Sequence, residues 1–151
     1  MTRDSVPRFV SVMAVILGGA DLVRGFMHTV ALSYSAAHIA GLDLSGPSAA
    51  DLLRLLGLFG VSNYITGTTL ILTGLYARPV ALALMGLIPF FYGVGLLTIH
   101  QAMGPYLPSS AQWGGRPFMM AILSVYFLTF LVCVPLAFRK RPPTSPNSSP
   151  S

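Results

Sequence analysis

The stretch ADLVRGFMH, residues 20–28, places an aspartate, an arginine and a histidine inside an otherwise apolar run. A charged side chain at the centre of a bilayer costs about 2.5–3.5 kcal/mol on insertion scales, so such groups face protein or a cavity and by default mark function. Asp21 and Arg24 are three residues apart and Arg24 and His28 four apart, separations that make helical side chains neighbours. An Asp21–Arg24 pair would cancel its own charge and leave donors beside it. Asn63, in a second apolar run, is the expected neutral partner for Asp21, and Tyr64 and Tyr92 add hydroxyls at similar depth. His100 is expected to close the cluster from a third run.

That set, Asp21, Arg24, His28, Asn63, Tyr64 and His100, suits the binding of an amphipathic ligand. A quinone or a lipid needs an apolar slot between helices and one or two donors for its oxygens, and His28, Arg24 and Tyr64 are candidates for that role. The competing reading is a neutral pair that only locks helix register. Metal chemistry is not expected: His28 and His100 fall on different runs, His38 lies in a connection, and there is no H-x-x-x-H pair or cysteine cluster. Haem is disfavoured on the same grounds, no other cofactor is indicated and no catalytic residue can be assigned. The single Cys133 excludes an intrachain disulfide and a CxxC redox centre, and reads as a small buried hydrophobe.

The elements that carry these residues follow from composition. Of 151 residues, 54% are hydrophobic and 9% charged, against about 25% charged in a soluble domain. A hydrocarbon core of about 30 Å needs roughly 20 apolar residues per helix, and residues 9–33, 52–76, 79–99 and 118–138 each supply such a run. The expected fold is an all-α integral-membrane four-helix bundle over residues 9–138. Residues 1–8 precede it, and a basic, then Pro/Ser-rich and disordered tail, 139–151, follows. Too little chain is left for a soluble catalytic domain.

The net charge of +5 does not indicate nucleic acid, because of where the charges sit. Arg3, Arg8, Arg78, Arg139, Lys140 and Arg141 flank span ends on one side of a four-span zigzag. The opposite connections carry Asp43, Asp51 and Arg116, so the positive-inside rule puts both termini in the cytoplasm and the bundle in the cytoplasmic membrane. Lipids are the expected surroundings, with a membrane-protein partner or a second copy of the chain as possible company. Small residues at Gly18–Ala20 could end a cleaved signal, but the apolar run continues through Leu22, Val23, Phe26 and Val30, and the first span is expected to be retained. Arg54, turned away from the glycines of its own span, is expected to snorkel to lipid phosphate.

Small residues at heptad spacing mark the seams. The first span carries the rows Ala14, Asp21, His28 and Gly18, Gly25, Leu32. The second carries Gly60, Gly67, Gly74 and Gly57, Tyr64, Ile71. The third carries Gly86, Gly93, His100, with Pro89 expected to kink it. The eight glycines of these rows are expected at helix contacts, or at a docking face if the protein is a structural or assembly subunit of a larger complex. Only YARP joins the second and third spans, which makes them an antiparallel hairpin opened by Pro79. The connection from Tyr34 to Asp51 is expected to fold over the outer mouth, with Gly-Pro-Ser as turn and cap. Tyr106 and Trp113 are expected interface anchors.

The segment Arg54–Phe90, RLLGLFGVSNYITGTTLILTGLYARPVALALMGLIPF, resembles the hairpin of the DoxX-like family of small four-span membrane proteins. The resemblance rests on the run Gly67–Leu75, the short Tyr76–Arg78 turn and the alanine-rich restart, and it covers about a quarter of the chain. It implies a four-helix bundle, and for some members a quinone-linked oxidoreductase subunit. Family members often carry a glutamate at the start of this run, where this chain has Asn63 or Tyr64. The combined expectation is an accessory, non-catalytic membrane protein that holds a quinone or lipid, with a quinone-linked oxidoreductase subunit as the remoter alternative.

Overall fold

The computed structural model of the protein describes residues 5–104 and 114–139. These residues form helices α1 (Arg8–Thr29), α2 (Leu32–Tyr34), α3 (Ala49–Tyr76), α4 (Arg78–Met103) and α5 (Arg116–Arg139), with a π-helical turn, Ser35–Ile39, directly after α2. There is no strand among them. The four long helices are each apolar and long enough to cross a membrane. Arg3, Lys140, Arg141, the tail, Tyr106 and Trp113 lie outside the described residues.

Helix limits follow local chemistry. The apolar composition that suggested a first span reaching residue 33 continues, but the helix stops at Thr29: the N–H groups of Val30 and Ala31 both donate to the Phe26 carbonyl, at 2.9 and 3.2 Å. The other three spans instead extend slightly beyond the expected limits, to Ala49–Tyr76, Arg78–Met103 and Arg116–Arg139, within the few residues by which helix ends ordinarily vary. Ala77 alone separates α3 from α4, and Pro79 sits in the first turn of α4, where a missing N–H costs nothing. Pro89 and Pro135 lie within helices that run past them. Ser48 precedes α3 without a side-chain cap. The capping chemistry sits earlier, where Asp43 Oδ1 accepts from Ser45 N at 2.9 Å and from Ser45 Oγ at 2.6 Å.

Packing is uneven. α1 and α3 run antiparallel and form the most extensive contact, and α4 with α5 the next. The hairpin partners α3 and α4 touch much less, so the bundle is two helix pairs rather than an evenly packed ring. In lipid there is little hydrophobic drive between helices, and close van der Waals approach takes its place. α1 buries Val10, Ala14, Leu17, Gly18, Asp21, Gly25 and His28, while α3 buries Gly60, Asn63, Gly67, Leu70 and Gly74. At the centre of this seam a Cβ on Gly18 would lie 2.6 Å from the Gly67 carbonyl oxygen, and one on Gly67 would lie 2.6 Å from the Gly18 oxygen. Only glycine allows that separation.

One apolar cluster, including Val6, Val10, Leu17, Leu70, Leu82, Met85, Cys133 and Ala137, fills the bundle at the end where α1 begins and α5 finishes, here termed the terminal end. Arg78 Nη1 adds a tie there, donating to the Val6 carbonyl at 3.1 Å. The buried residues of α4, Ala81, Leu82 and Met85, all fall in its first two turns or so. Toward the opposite end, here termed the loop end, α4 stands away from its neighbours. The two loop-end connections meet where Gly114 N donates to the Ala40 carbonyl at 3.3 Å. After the π turn the chain reverses at Gly41, whose φ of 65° favours glycine.

Candidate functional site

Where the two helix pairs part, a cavity of about 310 Å³ opens, and each long helix contributes a polar side chain to it: Asp21 and Arg24 from α1, Asn63 and Thr66 from α3, Tyr92 from α4 and Tyr126 from α5. Leucine, isoleucine and phenylalanine side chains of α4 and α5 close the rest. Asp21 belongs to the buried face of α1, and the helical spacing sets Arg24 one turn on. The ion pair forms, with Arg24 Nη1 3.1 Å from Asp21 Oδ1. The other carboxylate oxygen accepts from the Tyr126 hydroxyl at 2.7 Å, a buried bond that ties α5 to α1. Arg24 also lies over the Phe59 ring, its Cζ 5.5 Å from the centroid, a favourable cation–π position. Tyr92 stands close enough to interact with both members of the pair.

Asn63 departs from its expected role. It lines the cavity and is 4% exposed, but its Nδ2 is buried with no hydrogen-bond partner. Tyr126 occupies the place beside Asp21 that had been expected of Asn63. Buried polar groups are nearly always paired, and leaving one unpaired costs about 1–3 kcal/mol. Asn63 therefore places a buried donor without an acceptor beside the cavity that its side chain lines.

The remaining expected ligand residues separate into two groups. His28 and Tyr64 are near the cluster but outside the cavity lining, and each makes contacts within the fold. His28 Nδ1 is 2.9 Å from Ser35 Oγ, a buried contact that folds the π turn back onto α1, and its ring lies 5.8 Å from that of Phe59. Tyr64 covers Gly25, where a Cβ would meet the tyrosine ring at 2.8 Å. Its hydroxyl is 3.0 Å from Thr29 Oγ1, and because Thr29 already donates to the Gly25 carbonyl, Tyr64 is the donor. His100 is not brought to the cluster: it is exposed near the end of α4 and lies outside the cavity lining.

The divergence of α4 also accounts for Gly93. A seam contact was expected there, but the residue is exposed and a Cβ would meet nothing within 4 Å. It borders an open groove facing Met120, Leu123 and Phe127 of α5. Gly57 is only in ordinary contact range, 3.8 Å from the His28 carbonyl oxygen. Gly18, Gly25, Gly60, Gly67 and Gly74 are covered by α1–α3 contacts and Gly86 by Phe130, all within this chain. Those faces are consequently filled, and a docking role for them would require dismantling the bundle.

Tyr126 and Thr66 were not read as site residues from the sequence. The signal for Tyr126 was a seven-residue row in the last span, Met119, Tyr126, Cys133, all buried. No family model, curated protein or solved structure matches the chain, so the reading of the site rests on its geometry.

Proposed function

We propose that the protein binds a neutral amphipathic ligand, a quinone or a lipid, with the ligand's polar head in the cavity between the helix pairs. The observation that carries this reading is Asn63, a side chain that lines the cavity and whose buried Nδ2 has no hydrogen-bond partner. A carbonyl oxygen is the simplest group to accept from it, and ring carbonyls of quinones and ester carbonyls of lipids share that chemistry. The Arg24 charge is already matched by Asp21, which favours a neutral head over an anionic one. The surrounding apolar walls suit the remainder of a ring or acyl body.

The role is that of an accessory binding protein rather than a catalyst, because Asp21, the carboxylate at the cavity, is engaged by both Arg24 and Tyr126. The orientation that fits has both termini in the cytoplasm of a cell with this protein in its plasma membrane. Arg8, Arg78 and Arg139 share the terminal end, while Asp43 and Asp51 lie toward the other.

Native mass spectrometry on protein extracted gently from its own membrane, with an absorption spectrum of the same sample, tests the reading. The expected result is a stoichiometric neutral amphiphile on the wild type that is lost from a folded Asn63→Leu variant. Equal loading of the two proteins, or a wild type without bound amphiphile, would refute it.

A further inference from the structure

A second hollow lies one helical turn from the first, between α1 and α5, two of the four helices that line the cavity. It has a volume of about 500 Å³ and is walled by Ala20, Val23 and Met27 of α1, Phe118 and Met119 of α5, and Ile39 of the π turn. Arg24 and His28 are the charged or ionisable side chains at its edge. Met119 is buried at 4% exposure, whereas Val23 and Phe118 are 63% and 60% exposed, so the hollow runs from the bundle interior to its outer surface.

The two spaces interleave along one crevice. On α1, Asp21 and Arg24 face the cavity, and Ala20, Val23 and Arg24 face the slot. On α5, Ile122, Leu123 and Tyr126 face the cavity, and Phe118 and Met119, the preceding turn, face the slot. Arg24 is the shared wall. Contact between α1 and α5 is sparse, and the Tyr126–Asp21 bond crosses between them deeper in the crevice.

We infer that the slot between α1 and α5 houses the hydrocarbon tail of the ligand whose head occupies the cavity, and gives that tail its way out to the bilayer. This rests on the head-binding reading above. Chemistry divides between the spaces accordingly: donors line the first, and the second is apolar apart from Arg24 and His28 at its edge. The cavity itself opens past the exposed Leu87 and Phe91, and the slot, which shares Arg24 with it, offers the chain a longer apolar path to the bilayer. A tail in hydrocarbon gains little by moving to an apolar slot, because there is no water to leave. The slot therefore acts through shape, and obstructing it should penalise tailed ligands only.

Two probes separate these effects: a methyl-substituted benzoquinone and the same ring carrying a decyl chain, measured by equilibrium binding to protein in lipid nanodiscs with empty discs subtracted. Ala20→Trp fills the slot floor and Val23→Trp its rim, so a folding defect in one leaves the other informative. In either plugged variant, the decyl probe should lose at least tenfold in affinity while the methyl probe stays within twofold of wild type. Asn63→Leu should weaken both probes alike. Equal retention, or equal loss, of the two probes in the plugged variants overturns the tail slot and leaves head binding standing. Failure of both probes to bind the wild type overturns head binding and the tail slot together.

Discussion

The α1–α3 seam and the crevice between α1 and α5 share one helix and differ in almost everything else. Along the seam, small residues meet one another, and the backbones approach until only hydrogen fits at Gly18 and Gly67. Along the crevice, the same helix presents Asp21 and Arg24 to a partner that reaches it through a long tyrosine, and space is left between. One face is specified by the absence of side chains, and the other is held open by their length. The comparison shows how a small bundle can be rigid and hollow together: the ordered half supplies a fixed wall, and the spaced half supplies the volume.

The largest expected effect comes from breaking the crevice. Asp21→Ala leaves Arg24, whose side chain is 13% exposed, without its counter-charge, and should cost about 3–5 kcal/mol of stability. The double variant Asp21→Leu/Arg24→Leu should recover most of that loss in reversible unfolding in detergent. No recovery would show that the pair is not a unit.

The seam should break next. Gly67→Leu forces side-chain atoms into the Gly18 backbone and should cost about 1–3 kcal/mol or more, whereas Gly93→Leu, on an open face, should stay within about 0.5 kcal/mol of wild type. Thermal unfolding of the two variants side by side measures the contrast. Equal losses would mean that residue type rather than contact sets the penalty.

Asn63→Leu sharpens the comparison because its sign is opposite. It removes the unpartnered donor, so the ligand-free protein should gain stability, by an amount approaching about 1–3 kcal/mol, while ligand retention falls. Such an exchange of stability for binding is what a functional site shows and a register lock does not.

The smallest effect lies outside the membrane. Hydrogen bonds from the Ser45 hydroxyl and backbone N–H hold the Asp43 carboxyl below its ordinary range. A folded value depressed in this way means that the turn's contribution is complete above the ordinary carboxylate value and fades as pH falls through the lowered one. Titration by NMR should find the Asp43 midpoint below that of a free aspartate and moved upward in Ser45→Ala.

How much of this could be seen in the sequence depended on contrast. Asp21, Arg24 and Asn63 stand out because ionisable and amide groups are costly in an apolar run. The Gly60, Gly67, Gly74 row stands out because small residues repeat at the helical heptad. Tyr126 offers neither signal: a tyrosine in an apolar span reads equally as packing, and its partner lies 105 residues away. The third-span row failed for a different reason. Its register extends from Gly86 to His100, but α4 leaves its neighbours after the first turns, and periodicity reports which side a residue faces without reporting whether anything stands there. The end of α1 was hidden because hydropathy counts side chains, whereas the break at Val30 is a matter of backbone hydrogen bonds.

The single-residue joint at Ala77 gives α4 the mechanics of a lever with a fixed foot. Its first turns are clamped by the apolar cluster and by Arg78 on the Val6 carbonyl, and its 26 residues make an arm of about 39 Å at 1.5 Å per residue. Pivoting about that foot by about 5° would carry the Met103 end through about 3 Å for a helix of this rise. Tyr92, a little over halfway along the arm, would travel over half that distance. The width of the cavity is thus geared to an angle set at the far end of the bundle, away from its polar lining residues.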